Sequence, residues 1–254
     1  LLLWCLVRRG MALEVGGHVD DPLWQQFWDG AFAVSSALLA GLFGAAFGNV
    51  VRGAPLTADG RMFMPFFTDF GVRGRVGILD WYTLTAAVCS LVLLAAHGAT
   101  YLVLKTEGEV HLRSERLAGR LWPLAVLLLI VVSAETVAVR PDFFGAMGHR
   151  PAGVVAALVI AASLAALFIG RKSGKDRLAL VGSCGVIAGL IGGAAASMFP
   201  VMLHSTLAVH GSPAARSSLR RVIYLEFRPA DVEAEAGPHT DAYIPAKQAI
   251  LQAA

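Results

Sequence analysis

Apolar and polar positions in this chain fall into long blocks rather than alternating residue by residue. Five runs are uncharged or nearly so and reach spanning length: Ala31–Val51, Thr83–Leu104, Leu121–Val139, Pro151–Gly170 and Leu178–Met202. A membrane crossing takes about 20 apolar residues. In hydrocarbon every backbone N–H and C=O must be paired internally, so each run is predicted to be a helix. Barrel strands would alternate over about ten residues, and no such alternation is present. The chain also opens on a short apolar run, "LLLWCLVRRG", in which only Leu1 to Val7 precede Arg8 and Arg9. That is about two helical turns, too short to cross. It is expected to be the cytoplasmic tail of a partial helix in a chain truncated at its N-terminus. A signal peptide would place its basic residues before the apolar core, the reverse of this order. The predicted fold class is therefore all-α: a polytopic transmembrane helix bundle with five full spans and one partial.

The segments between the runs refine this picture. In "DDPLWQQFWDG", Trp24, Phe27 and Trp28 follow Asp20, Asp21 and Pro22. Indoles favour the headgroup zone, so this is an interfacial lead-in to the first full span. Pro22 suits a first helical turn, with Asp20 or Asp21 as its cap. The first span ends on Asn49 and Arg52, stops at Pro55, and leads to Phe63, Phe66, Phe67 and Phe70. Asn49 is expected to bond carbonyls of the last turn, Arg52 to reach lipid phosphates, and the phenylalanines to sit near the interface. Small residues mark packing faces: Gly41, Gly44 and Gly48 in the first span, and Gly182, Gly185, Gly189 and Gly193 in the last. Such stripes let backbones approach closely in lipid. Packing inside the bundle is the simpler reading, and a face for a partner subunit the sharper one. After Met202 no run can span, and residues 208–254 read as a polar, poorly ordered tail.

Composition and charge agree with a membrane protein. Of 254 residues 56% are hydrophobic and 15% charged, against about 25% charged in soluble domains. The net charge of +3 is small and sits in the connecting segments. That points to membrane orientation and away from nucleic acid. Lys105, Arg113, Arg116, Arg120, Arg171, Lys172, Lys175 and Arg177 fall on one side with Arg8 and Arg9, predicted to be cytoplasmic. Arg52, Arg61, Arg73, Arg75, Arg140 and Arg150 fall on the other. Cys5, Cys89 and Cys184 lie in apolar runs without a CxxC pair and read as small buried hydrophobes.

Candidate chemistry is sparse. No P-loop, no Ser-His-Asp order and no glycine-rich phosphate loop can be placed in water-facing structure. His97 is the one histidine inside a run, whereas a bis-histidine haem needs two facing ligands. A hydrogen bond to a neighbouring helix is its expected role, with a cofactor or proton role as the alternative. Glu135 is the one acid inside a run, and a carboxylate there is costly unless paired or protonated. It lies near Arg140 in sequence, so a paired or snorkelling edge residue is one reading and a proton-path residue the other. The polar positions singled out are Asn49, Arg52, Asp80, His97 and Glu135. No catalytic or metal-binding residue is assigned.

Three stretches carry a family resemblance: "AFGNVVRGAPL" (46–56), "GILDWYTLTAAVCSLVLLAAHGATYLVLKTEGEVHLR" (77–113) and "SMFPVMLHSTL" (197–207). Their order and spacing resemble subunit II of the cytochrome bd quinol oxidases, and the cyanide-insensitive type in particular. "DDPLWQQFWDG" looks like the family's entry to one of its helices. The resemblance covers about residues 1–207. It implies the non-haem subunit of a complex that oxidises quinol and reduces oxygen to water, building a proton gradient. Haems b and d and the quinol-oxidising loop would lie in the haem-bearing subunit I, and this chain would bind no cofactor alone. Membrane lipids and the quinone pool are further implied partners, in the bacterial inner membrane.

The resemblance also implies further spans before Leu1, and His204 stands where the family usually has Pro. The chain is expected to diverge from the family after about Leu207. The last four spans, Thr83 to Met202, should form one four-helix bundle, with the partial helix and first span as half of a second. A transporter or channel subunit is the alternative; it predicts a broken or charged helix at mid-membrane. A non-functional remnant is a third possibility.

Overall fold

The computed structural model describes residues 2–53 and 77–199. Within them the chain forms α1 (Leu2–Gly16), α2 (Pro22–Arg52), α3 (Trp81–Lys105), α4 (Gly108–Val139), α5 (Asp142–Gly148), α6 (Pro151–Lys172) and α7 (Asp176–Met198). The helices α2, α3, α4, α6 and α7 are long and apolar enough to cross a membrane. They match the five predicted runs. Pro55, Phe63, Phe66, Phe67, Phe70, His204, the "MFP" motif beyond Phe199 and the 208–254 tail lie outside the described residues.

The helix ends differ from the sequence reading in ways that have physical causes. The opening helix does not stop at Arg8-Arg9. It runs on to Gly16, with the Arg9 guanidinium over the Phe32 ring at 5.0 Å. Asp21 rather than Asp20 caps α2, accepting from Leu23 N at 2.9 Å with Pro22 in the first turn. Trp24 Nε1 donates to Val15 O at 3.1 Å, binding α1 to the start of α2. The fourth helix begins at Gly108 rather than Leu121. Its length of 32 residues gives about 48 Å, longer than the roughly 30 Å hydrocarbon core, so the charged stretch before Leu121 protrudes. His111 Nδ1 meets Val103 O at 2.9 Å across this tight connection. The short helix α5 had no apolar run to announce it.

A buried cluster joins α3, α4, α6 and α7: Leu93, Ala96 and Ala99; Ala118, Trp122 and Ala125; Leu167; Ala179 and Val186. The last four spans therefore share one core, while α2 packs on α3 and α1 packs on α2. Trp122 is fully buried, and its Nε1 donates to Thr100 Oγ1 at 2.9 Å. Burying the indole without that acceptor would leave an unsatisfied donor.

The glycine stripe on α7 serves packing inside the chain. A Cβ on Gly182 would lie 2.7 Å from Ser163 O. One on Gly189 would lie 2.6 Å from Ile160 Cγ1. Both contacts are with α6, so the stripe sets how closely α6 and α7 approach. Gly174, at φ 64°, reverses the chain between these helices. Lys175 N then donates back to Gly170 O at 2.8 Å, the six-to-one bond of a Schellman close. Cys5 and Cys89 are buried as expected, but Cys184 is exposed. It sits on the side of α7 turned away from the core, where the glycines on the opposite side make the contacts.

Candidate functional site

Three of the polar positions picked from sequence meet at one end of the bundle. Asp80 caps α3 in a capping box: Thr83 N donates to Asp80 Oδ1 at 3.0 Å and Asp80 N donates to Thr83 Oγ1 at 2.9 Å. The other carboxylate oxygen, Oδ2, forms an ion pair with Arg52 Nη1 from the last turn of α2. Arg52 Nη2 donates to Asn49 Oδ1 at 2.6 Å and to Gly77 O at 2.7 Å. Asn49 Nδ2 donates to Ala45 O at 3.1 Å and to Ile78 O at 2.9 Å. Asn49 thus bonds a carbonyl of its own helix, as expected, and also clasps the segment entering α3.

Arg52 corrects its sequence reading. Its side chain is only 7% exposed, so it faces Asp80 rather than lipid phosphates. The reason is local. Gly53, at φ 99°, ends α2, and Gly77 to Asp80 offer an acceptor-rich edge within reach. Pairing inside the protein desolvates the guanidinium once and satisfies two of its nitrogens.

Two arginines missed by sequence reasoning act at the same end. Arg140 Nη1 donates to Val51 O at 3.0 Å, and Arg150 Nη1 donates to Ser197 O at 3.3 Å. Each cation meets carbonyls left open at a helix C-terminus, of α2 and α7 respectively, where charge and dipole are complementary. From sequence they read only as loop cations, because the helix each one caps is remote along the chain.

Glu135 is buried on α4, 8% exposed, and turns toward α3 instead of toward Arg140. Among the described residues its Oε2 has no hydrogen-bond partner. His97 stands apart, further along α3, with Nδ1 2.8 Å from Ser183 Oγ on α7. The structure therefore joins Asn49, Arg52 and Asp80, and leaves Glu135 and His97 as separate single positions. No three His, Cys, Asp or Glu side chains stand together as a metal site among the described residues.

Two of the sequence motifs have definite places among the described residues. The Asn-Arg helix end and the Asp-Trp-Tyr-Thr helix start interlock, and His111 of "GEVHLR" closes the α3–α4 connection. A family model described as cytochrome bd terminal oxidase subunit II matches residues 1–226. The chain belongs to that family. The match runs past Leu207, beyond the stretches that carried the resemblance. Similar proteins include the cytochrome bd ubiquinol oxidase subunit 2 of Bacillus subtilis (strain 168), 26% identical over 82% of this chain and 58% of that protein. The cytochrome bd-I ubiquinol oxidase subunit 2 of Escherichia coli (strain K12) is 29% identical over 46% of this chain and 30% of its own length. A probable cytochrome oxidase subunit 2 of Haemophilus influenzae is 27% identical over 52% of this chain and 34% of its own. The chain thus spans no more than about six tenths of these relatives. As a subunit II family member with five spanning helices, it is a multi-pass protein of the bacterial inner membrane.

Proposed function

We propose that this chain is the non-haem subunit of a bd-type quinol:oxygen oxidoreductase, supporting a haem-bearing partner in the respiratory membrane. The observation that carries this reading is the family match over residues 1–226. Quinol oxidation, oxygen reduction and haems b and d are placed on the partner, and this chain alone is not catalytic. Quinone and lipids contact the assembled complex; nucleic acid does not.

Among the described residues the histidines do not face one another as a pair of haem ligands. His97 is the one histidine within the apolar runs, and its Nδ1 is engaged by Ser183. His111 and His18 meet backbone carbonyls near helix ends. A bis-histidine haem needs two facing imidazoles at one depth, and the described spans do not offer that pair. What the chain supplies is rigidity: a closely packed bundle core and helix ends tied by arginines, a firm wall for a partner to pack on.

The test is co-expression with a haem-bearing subunit I, purification through a tag on this chain, and a reduced-minus-oxidised spectrum. Haem b and d bands in the tagged fraction, with quinol-dependent oxygen uptake, are expected. A tagged chain that accumulates in the membrane yet never carries haem with it overturns the reading.

A further inference from the structure

The outer face of α4 changes character once along its length, where the helix enters its apolar run. Arg113, Arg116, Arg120, Leu124 and Leu127 follow one another at steps of three or four residues, so they share one side of the helix. All of them are exposed, whereas Ala118, Trp122 and Ala125 fill the core from the other side. The cations lie on the protruding stretch, and Arg120 immediately precedes the apolar run that begins at Leu121. Arg116 stands about one turn, roughly 6 Å, further out. Arg116 and Arg120 are thus at headgroup depth, directly above an exposed apolar strip of the same helix.

No acid among the described residues pairs with these two arginines; the ion pairs there are Arg52–Asp80 and Arg113–Glu109. Glu109 is held by Arg113, whose Nη2 donates to its Oε1 at 2.7 Å. Glu115 points to another side of α4, where it lines a small cavity with Thr100, Arg171 and Asp176. Arg116 commits only its Nε, to Leu112 O at 3.2 Å, which leaves the outer nitrogens of its fork. Like charges at i and i+4 repel one another on a helix surface, and an anion between them removes that cost. A guanidinium is a planar fork of donors that matches phosphate oxygens. A free anion would leave the apolar strip unused, whereas a phosphate that carries alkyl chains complements both parts of the face.

We propose that Arg116 and Arg120 bind the headgroup phosphate of an anionic phospholipid, whose acyl chains lie on Leu124 and Leu127. Charge selects the lipid. A zwitterionic headgroup brings a cation of its own to two arginines, whereas a phosphatidylglycerol headgroup leaves its phosphate charge to them. The site rests on the place of the bundle in a membrane and not on quinol or oxygen chemistry.

The test is photo-crosslinking of the complex, reconstituted with its haem-bearing partner in vesicles, by phosphatidylglycerol that carries a diazirine on an acyl chain. Labelled peptides of this chain are mapped by mass spectrometry. Label at residues 124–127 is expected, competed by plain phosphatidylglycerol and not by phosphatidylcholine, a result that needs no variant. Arg116→Gln with Arg120→Gln should lower that label about tenfold, and Arg116→Lys with Arg120→Lys should keep most of it. Lys172→Gln with Lys175→Gln removes the same charge from the α6–α7 turn and should leave the label unchanged. Equal competition by phosphatidylcholine overturns the proposal, as does an equal loss in the Lys172 and Lys175 variant. So does an α4 face that takes no label because a partner chain covers it. Label is scored on peptides of this chain and haem content in the same samples, so failure of the oxidase reading is told apart from failure of the lipid site.

Discussion

Removing the Asp80 carboxylate should be among the most damaging single changes in this chain. The Arg52 and Asp80 side chains are only 7% and 9% exposed. Asp80→Ala leaves a buried guanidinium without its counter-charge, and breaking a buried pair from one side costs about 3–5 kcal/mol. It also removes the acceptor for Thr83 N at the start of α3, a cap worth about 1 kcal/mol. Arg52 would keep Asn49 and Gly77 O, which holds the loss near the lower end, at about 4 kcal/mol in all.

Asp80→Ser separates these two contributions, because serine caps a helix but carries no charge. It should lose most of the pair and little of the cap. Adding Arg52→Met to Asp80→Ser removes the orphaned cation and should recover part of the stability lost by Asp80→Ser, because no uncompensated buried charge remains. Unfolding of the purified complex in mixed detergent, followed by helix content, measures the series. The control is Glu109→Ala at the Arg113–Glu109 pair, whose side chains are 72% and 73% exposed and whose loss should be close to silent. If Asp80→Ala proves as mild as that control, or the double variant is no better than Asp80→Ser, the buried-charge reasoning is wrong.

Other expectations follow from the same geometry. Asn49→Ala removes bonds to Ala45 O and Ile78 O and should lower the yield of assembled complex while leaving turnover per complex unchanged, which haem-normalised oxygen uptake would show. Gly44→Ala would set a Cβ 2.5 Å from Ser90 Cβ and 2.6 Å from Ala86 O. Prising open the α2–α3 seam should cost about 1–3 kcal/mol. Gly41→Ala, where nothing lies within 4 Å, should be harmless in the same thermal-stability assay. Trp122→Ala empties a fully buried site and should cost about 3–5 kcal/mol. Trp122→Phe should cost less, since Thr100 still donates to Ala96 O; a Phe variant as unstable as Ala would argue against packing as the main effect.

Much of this molecule was legible one residue at a time. The five spans, the Asp-Pro start of α2 and the small-residue face of α7 all follow from rules that act locally. A backbone in lipid has no alternative to the helix, and a proline or capping side chain acts within one turn. The family too was readable, because its motifs mark helix ends, where sequence is most constrained by geometry.

The partners of those residues were not readable, and the tertiary structure alone decided them. Arg52 looked like a headgroup anchor until α3 brought Asp80 to it across a long connection. Arg140 and Arg150 became helix caps only because α2 and α7 end beside them. Glu135, five residues from Arg140 in sequence, turned the other way into the α3–α4 seam. Cys184 faces outward although its run is apolar throughout. Hydropathy reports whether a helix can enter lipid, but it is nearly blind to how that helix is rotated about its axis. Rotation is set by which small residues let a neighbour approach and where the few polar groups find acceptors. Those are contacts between remote segments, and they exist only once the bundle has formed.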